Sequence, residues 1–235
     1  MKNQYFGDIN DYLKYGLLRA LQNDGHSTLL VAWMLTPDDG GTDGRLREYL
    51  KNPARWRQFD PELYDGLSAL LGPNSPPRVA FIEGARLLGQ ATFHSAVVPD
   101  ARGERDVWRN DLIESVNESR ADLVFFDPDN GIEIPSCPIG RKFSSKYLAW
   151  QEIEEVWAAG CSLLVYQHFP RKPREAYAAQ AISEIQRRIG ASFTRAFRTT
   201  RVLFVLAAQR GHEGPLRSAI DAHLPRWKGK IDVIG

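Results

Sequence analysis

Two rhythms of apolar residues alternate along the chain. Unbroken apolar runs occupy residues 28–35 (TLLVAWML), 123–126 (LVFF) and 161–167 (CSLLVYQ). Such runs, bounded by turn residues, predict strands buried on both faces of a parallel sheet. Further strands are expected at residues 78–83, 93–98, 193–197 and 202–208. Between them, apolar positions return at helical spacing. Asp8 can cap a first helix with Ile9, Tyr12, Leu13, Leu17, Ala20 and Leu21 inward and Gly25 as its stop. Lys14 and Tyr15 lie beside that stripe, where a solvated lysine and a partly buried tyrosine are the ordinary outcome. Other helices are expected at 45–50, 61–71, 104–119, about 146–159, 175–189 and 216–224, before a basic, extended tail. Val107, Trp108, Ile113 and Val116 form the apolar side of the helix at 104–119.

Alternating strands and helices predict a three-layer α/β fold with a mostly parallel sheet. Only a few residues around Thr199 and Thr200 separate the last two strands, so these must pair antiparallel as a C-terminal hairpin. The reading is one domain over residues 1–235, with a helical insertion at 52–77 closed by LGPNSPP.

Composition narrows the partners. The 235 residues are 43% hydrophobic and 25% charged, with a formal net charge of +1, so no global field draws the chain to nucleic acid or membrane. Cys137 and Cys161 fit a reducing compartment and form no metal pattern. The N-terminus lacks the apolar core of a signal peptide and no run reaches transmembrane length, so a cytoplasmic protein is expected.

The candidate chemistry gathers where strands end. The run at 123–126 passes straight into Asp127, Pro128, Asp129, Asn130 and Gly131. In open α/β sheets the carboxyl ends of strands are where ligands bind. The run at 28–35 leads into Thr36-Pro-Asp38-Asp39-Gly40-Gly41-Thr-Asp43-Gly44-Arg45. Strand, glycine-rich turn and helix is a nucleotide-cofactor arrangement, but these carboxylates would repel a pyrophosphate. A cofactor with a ribose and an amino group suits them better. Glu83 or Asp100, each at an expected strand end, could hold the ribose hydroxyls. His168 ends the strand at 161–167. Arg141, Lys142, Arg171 and Lys172 could hold the phosphate backbone of RNA or DNA.

The segment GDINDYLKYGLLRAL, the turn at 36–45 and the Asp127-Pro128 pair resemble, in that order, the large-subunit ribosomal RNA adenine-N6 methyltransferases. The similarity covers scattered segments of most of the chain. It implies a Rossmann-like fold and S-adenosylmethionine as cofactor, framed by Lys14, Tyr15, Thr36, Asp38, Gly40, Gly41, Gly44 and Glu83. It also implies that Asp127 accepts a hydrogen bond from a nucleic-acid amine. The family's Asp-Pro-Pro-Tyr is Asp127-Pro128-Asp129-Asn130 here, so its base-stacking aromatic is replaced, and Tyr15 replaces its histidine.

A second reading is a metal-dependent hydrolase or nuclease. Asp127, Asp129 and Glu133, with Asp38 or Asp39 nearby, are hard oxygen ligands for Mg or Mn, and His168 could serve as base. A binding module that kept the fold without the chemistry is the third. All three share one expectation: carboxylates this close need neutralising, by the cofactor's sulfonium, by a divalent ion, or by Lys14 and Arg45. Asp38 and Asp127 are expected to face one crevice, and Asp127→Asn to cost little stability because a strand-end carboxylate should be exposed.

Overall fold

The computed structural model describes residues 1–22, 27–38, 40, 46–72 and 76–235. The chain runs α1 (Ile9–Leu21), β1 (Leu29–Ala32), α2 (Pro53–Trp56), α3 (Pro61–Leu70), α4 (Ala80–Gly84), β2 (Thr92–His94), α5 (Arg102–Ser119) and β3 (Leu123–Phe126). It continues through β4 (Gly131–Ile132), β5 (Tyr147–Leu148), α6 (Trp150–Ala158), β6 (Ser162–His168), α7 (Arg174–Ile189), β7 (Phe193–Arg198), β8 (Val202–Ala208), α8 (Glu213–His223) and β9 (Asp232–Ile234). The main sheet has the order β2-β1-β3-β6-β8-β7-β9, and β4 pairs with β5 in a small parallel ribbon beside it.

The α/β, mostly parallel, Rossmann-like architecture is as expected. β2, β1, β3 and β6 run parallel, in the register Leu30 to Thr92, Val31 to Phe125 and Phe125 to Leu164. β8 is reversed against both β6 and β7. It therefore lies between two strands that share a direction, a step inside the sheet rather than at its edge. The basic tail supplies a further antiparallel strand, β9, against β7.

Side-chain alternation divides each buried strand between two cores. Leu29, Val31, Leu123 and Phe125 join α1, α3, α8 and Trp227 on one face. Leu30, Ala32, Val124 and Phe126 join α5, α6 and α7 on the other. Among the described helices none is long and apolar enough to cross a membrane.

Several boundaries differ from the sequence reading. Residues 80–84 are helix, not strand; with Pro76 and Pro77 just upstream and no apolar alternation partner, this stretch packs Ile82 inward as a short turn. Val107 is exposed, and Leu112 takes the inward position beside Trp108 and Val116. The helix expected at about 146–159 begins only at Trp150, because residues 147–148 pair with β4. Gly25 and most of the turn at 39–45, including Asp39, Gly41, Asp43, Gly44 and Arg45, lie outside the described residues.

α1 is buried nearly all round. Trp227 packs so tightly over Gly16 that a methyl group there would overlap its ring. The first turn of the helix faces the carboxyl ends of β1 and β3, which brings Lys14 to the sheet rather than to water.

Candidate functional site

A cavity of about 670 Å³ opens at the carboxyl ends of β3 and β6. Asp127, Pro128, Asp129 and Asn130 form one wall, and the cap and first two turns of α1, with Asp8, Asn10, Asp11 and Lys14, form another. Tyr166, His168 and Phe169 close it from β6, and residues 200–202 from the β7–β8 turn.

Each wall follows from local chemistry. Asp8 caps α1 by accepting the Asn10 and Asp11 amides at 2.8 and 3.0 Å, while its Oδ2 accepts Asn10 Nδ2 at 3.0 Å. Gly131 ends the wall at φ +117°, with its Cα against the Gln167 side chain, whose Oε1 accepts the Ile132 amide at 2.8 Å. Met34, just beyond β1, holds φ +48°, a left-handed conformation unusual for a long side chain and found where function constrains the backbone.

The carboxylates are neutralised from within the chain. Lys14 Nζ lies 2.6 Å from Asp127 Oδ2 and 2.7 Å from Asp11 Oδ1, with Lys14 and Asp127 each 2% exposed. Asp11 Oδ2 also accepts the Gly7 amide and the Tyr15 hydroxyl. The Met1 amino group lies 2.8 Å from Asp129 Oδ1, and Thr36 Oγ1 donates to Asp129 Oδ2 at 2.7 Å. Lys2 Nζ is 4.0 Å from the same carboxylate.

These contacts set the titration. Burial acts to lower Lys14, but Asp11 and Asp127 outweigh it and hold the ammonium above its ordinary value. Burial raises Asp127 against the pull of Lys14. For Asp129 burial is outweighed by the Met1 amino group and Thr36, which leave it below the usual carboxylate range. Asp8 has no cation in contact among the described residues; burial and the charge of Asp11 push it up to about 7. Desolvation lowers His168, whose exposed ring has Nε2 3.2 Å from the Tyr166 hydroxyl.

Asp127, Pro128, Asp129, Asn130 and His168 thus meet at one cavity, as expected. The exposed Asp127 of the sequence reading is corrected: it is buried because the first turn of α1 seals the end of β3. Lys14 is not solvated, and Tyr15 is fully buried against Trp33. Asp38 shares the sheet edge but does not line the cavity; its Oδ1 accepts the Gln4 amide at 3.2 Å. Gly40 is exposed, with open space where a side chain would stand. Glu83 reaches the edge from α4: its Oε1 accepts Trp33 Nε1 at 2.8 Å and Ser95 Oγ at 2.6 Å, just beyond β1 and β2, while Oε2 has no partner among the described residues. Asp100 is taken up by the Phe143 and Ser145 amides, and Glu133 by the Trp150 amide. Arg141, Lys142, Arg171 and Lys172 are exposed and away from the cavity, which Lys146, Arg174 and Arg201 line instead.

For a cofactor with a ribose and an amino group, Asp38, Gly40 and Glu83 fit: two carboxylates with spare acceptor capacity and an open glycine beyond β1 and β2. Lys14, Tyr15 and Thr36 do not, being sealed into contacts with Asp11, Asp127 and Asp129. From the sequence Asp8 reads only as a cap, and Asn10, Tyr166, Lys146, Arg174 and Arg201 carry no signal of a site. No periodicity marks the last three; the topology alone converges them.

The chain matches no family model and no curated protein.

Proposed function

We propose that the protein is an S-adenosylmethionine-dependent methyltransferase acting on a nucleic-acid amine or a related substrate. One observation carries the reading: β8 is inserted in reverse between two strands, β6 and β7, that share a direction, and residues 127–130 leave the central strand β3 directly into a cavity. The Asp127-Pro128 pair that carries the resemblance stands at the start of that segment, which supports the reading.

The cofactor, when bound, supplies an electrophilic methyl group. Asp38 and Glu83 Oε2 would hold its polar groups beyond β1 and β2. The chain's own contribution is positioning. Lys14 occupies Asp127 Oδ2, so the amine's hydrogens fall to acceptors that face the cavity: the Asn130 side chain and the Pro128 carbonyl, neither of which has a partner among the described residues. An amine that gains a methyl group must release a proton. Asp8 suits that task, since its protonation changes near neutrality and its Oδ2 accepts one donor, Asn10 Nδ2, among the described residues.

The hydrolase reading loses its motive. The carboxylates that called for a cation already have Lys14 and the Met1 amino group, and among the described residues no group of three or more His, Cys, Asp or Glu is placed to hold a metal ion. Isothermal calorimetry with S-adenosylhomocysteine, with and without chelator, tests the proposal beside magnesium and manganese titrations. Chelator-insensitive heat supports it. Heat from the metals alone, or from nothing, overturns it.

A further inference from the structure

The cavity has two electrical characters. Its floor is internally paired, because Lys14 bridges Asp11 and Asp127 while the amino group of Met1 holds Asp129. Its rim is cationic. Lys146 enters from the loop before β5, Arg174 from the first turn of α7, and Arg201 from the β7–β8 turn. Among the described residues none of the three has a carboxylate partner. Lys146 stands only over the Phe143 ring and Arg174 only over the Phe169 ring, 5.3 and 5.1 Å from the centroids, and the Arg201 side chain has no partner among the described residues. Elsewhere on this chain arginines find acids readily: Arg57 with Asp65, Arg105 with Glu152, Arg217 with Glu213. Cations from separate elements that converge on one concavity without a counter-charge raise the local concentration of an anion. Arg174 also brings the free amides that begin a long helix, which favour the same charge.

We infer that Lys146, Arg174 and Arg201 form a phosphate-binding rim that seats one nucleotide unit of a single-stranded nucleic acid, base inward. This rests on the methyltransferase reading for what happens to the base, and it names where the strand is held. The floor agrees with it: Asn10, Asn130 and the Pro128 carbonyl offer the donor and acceptor groups that a base edge needs, while a phosphate placed there would meet Asp8. The volume, about 670 Å³, is within the range of pockets that enclose a ligand of nucleotide size. The exposed basic residues Arg141, Lys142, Arg171 and Lys172 have no part in the rim.

The test is fluorescence anisotropy with a labelled single-stranded RNA oligonucleotide and its DNA counterpart across a salt series, without cofactor. Arg174→Ala with Arg201→Ala should weaken binding about tenfold at low salt and flatten the plot of log K against log salt by roughly one to one and a half. Arg171→Ala with Lys172→Ala, and Arg141→Ala with Lys142→Ala, should bind within about twofold of the wild type. Both rim arginines are exposed and unpaired, so the melting temperature should not move; a Lys146→Ala variant reads the same rim from a different element. Equal losses in rim and surface variants, or none in the rim variants, overturn the assignment. So does competition by a nucleoside monophosphate as strong as that of the oligonucleotide, which would make the ligand a free nucleotide. Because no cofactor is present, failure of S-adenosylhomocysteine to bind leaves this measurement standing.

Discussion

Lys14→Met removes one charge and keeps most of the apolar stem, which makes it the cleanest probe of the cluster beneath the cavity. In the wild type the ammonium sits 2.6 Å from Asp127 and 2.7 Å from Asp11, and the side chains of all three are at most 4% exposed. Removing one partner of a buried ion pair costs about 3–5 kcal/mol, because the other charge is left in a poor solvent. Here two carboxylates lose their counter-charge together, so about 4 kcal/mol is expected at about pH 8. The loss should depend on pH with a definite sign. Without Lys14 the folded-state pKa of the Asp11–Asp127 pair rises further above the unfolded value, so the folded variant binds a proton that the unfolded chain does not. Its stability therefore climbs as pH falls toward the unfolded carboxylate value, by up to about 1.4 kcal/mol per unit for each group titrating. The difference from wild type should shrink to about half near pH 5.5. Urea unfolding followed by tryptophan fluorescence at the two pH values reads both numbers. A difference below about 1 kcal/mol at pH 8, or one that is flat with pH, refutes the claim that Lys14 neutralises this cluster.

Asp8→Asn should keep the helix cap, since asparagine caps as well as aspartate. The Asp8 carboxyl is raised to about 7, so the folded protein holds a proton that the unfolded chain releases above about pH 4; this contribution fades as pH rises through that window and is level beyond it. The variant should lose that slope and exceed the wild type by roughly 1–3 kcal/mol at pH 8, as measured by urea unfolding at several pH values. Gly131→Ala forces a side chain onto φ +117° and into Gln167, and a thermal melt should report a loss of roughly 2–3 kcal/mol. Glu152→Gln unpairs Arg105, held at 2.5 and 2.8 Å with both side chains at most 1% exposed, and should cost about 3–5 kcal/mol in urea; a loss under 1 kcal/mol would show that the pair is replaceable.

The fold was legible where burial is two-sided. An unbroken run such as residues 123–126 has few alternatives to a central strand, and the short link at Thr199 and Thr200 permits only a hairpin. Residues 80–84 misled because a strand end was expected wherever an acid follows apolar residues, whereas Glu83 reaches the same edge from a helix and is held there by Trp33 and Ser95. The site was legible in one part: the segment from Asp127 to Asn130 and His168 do share a cavity. What helical spacing could not tell is which side of α1 counts as inside. Lys14 lies off the apolar stripe, and only the stacking of α1 between the sheet end and Trp227 turns that flank inward. The rim was invisible for a similar reason. Lys146, Arg174 and Arg201 come from three connections far apart in sequence, and nothing local separates them from the solvated cations at 171 and 172.

A buried ammonium between two carboxylates is an expensive way to fill space, since apolar side chains of the same volume would pack without losing hydration. What apolar groups cannot supply is direction. Asp11 fixes the Gly7 amide, the Tyr15 hydroxyl and Lys14 at once, and Lys14 carries that fixed point across to Asp127 at the end of β3. Hydrogen bonds to charged groups are short and directional, so the first turn of α1 is held in register with the strand rather than merely against it. Asp8 and Asn10 are on that turn, and Pro128 and Asn130 follow that strand. The polar triad therefore sets the separation between the two walls of the cavity while its ionic groups are spent on one another. That division places Asp127 in the wall and leaves the reacting positions to the groups that face inward. It also gives the cavity a polarity, internally paired floor and cationic rim, that can orient a substrate whose negative charge lies at one end.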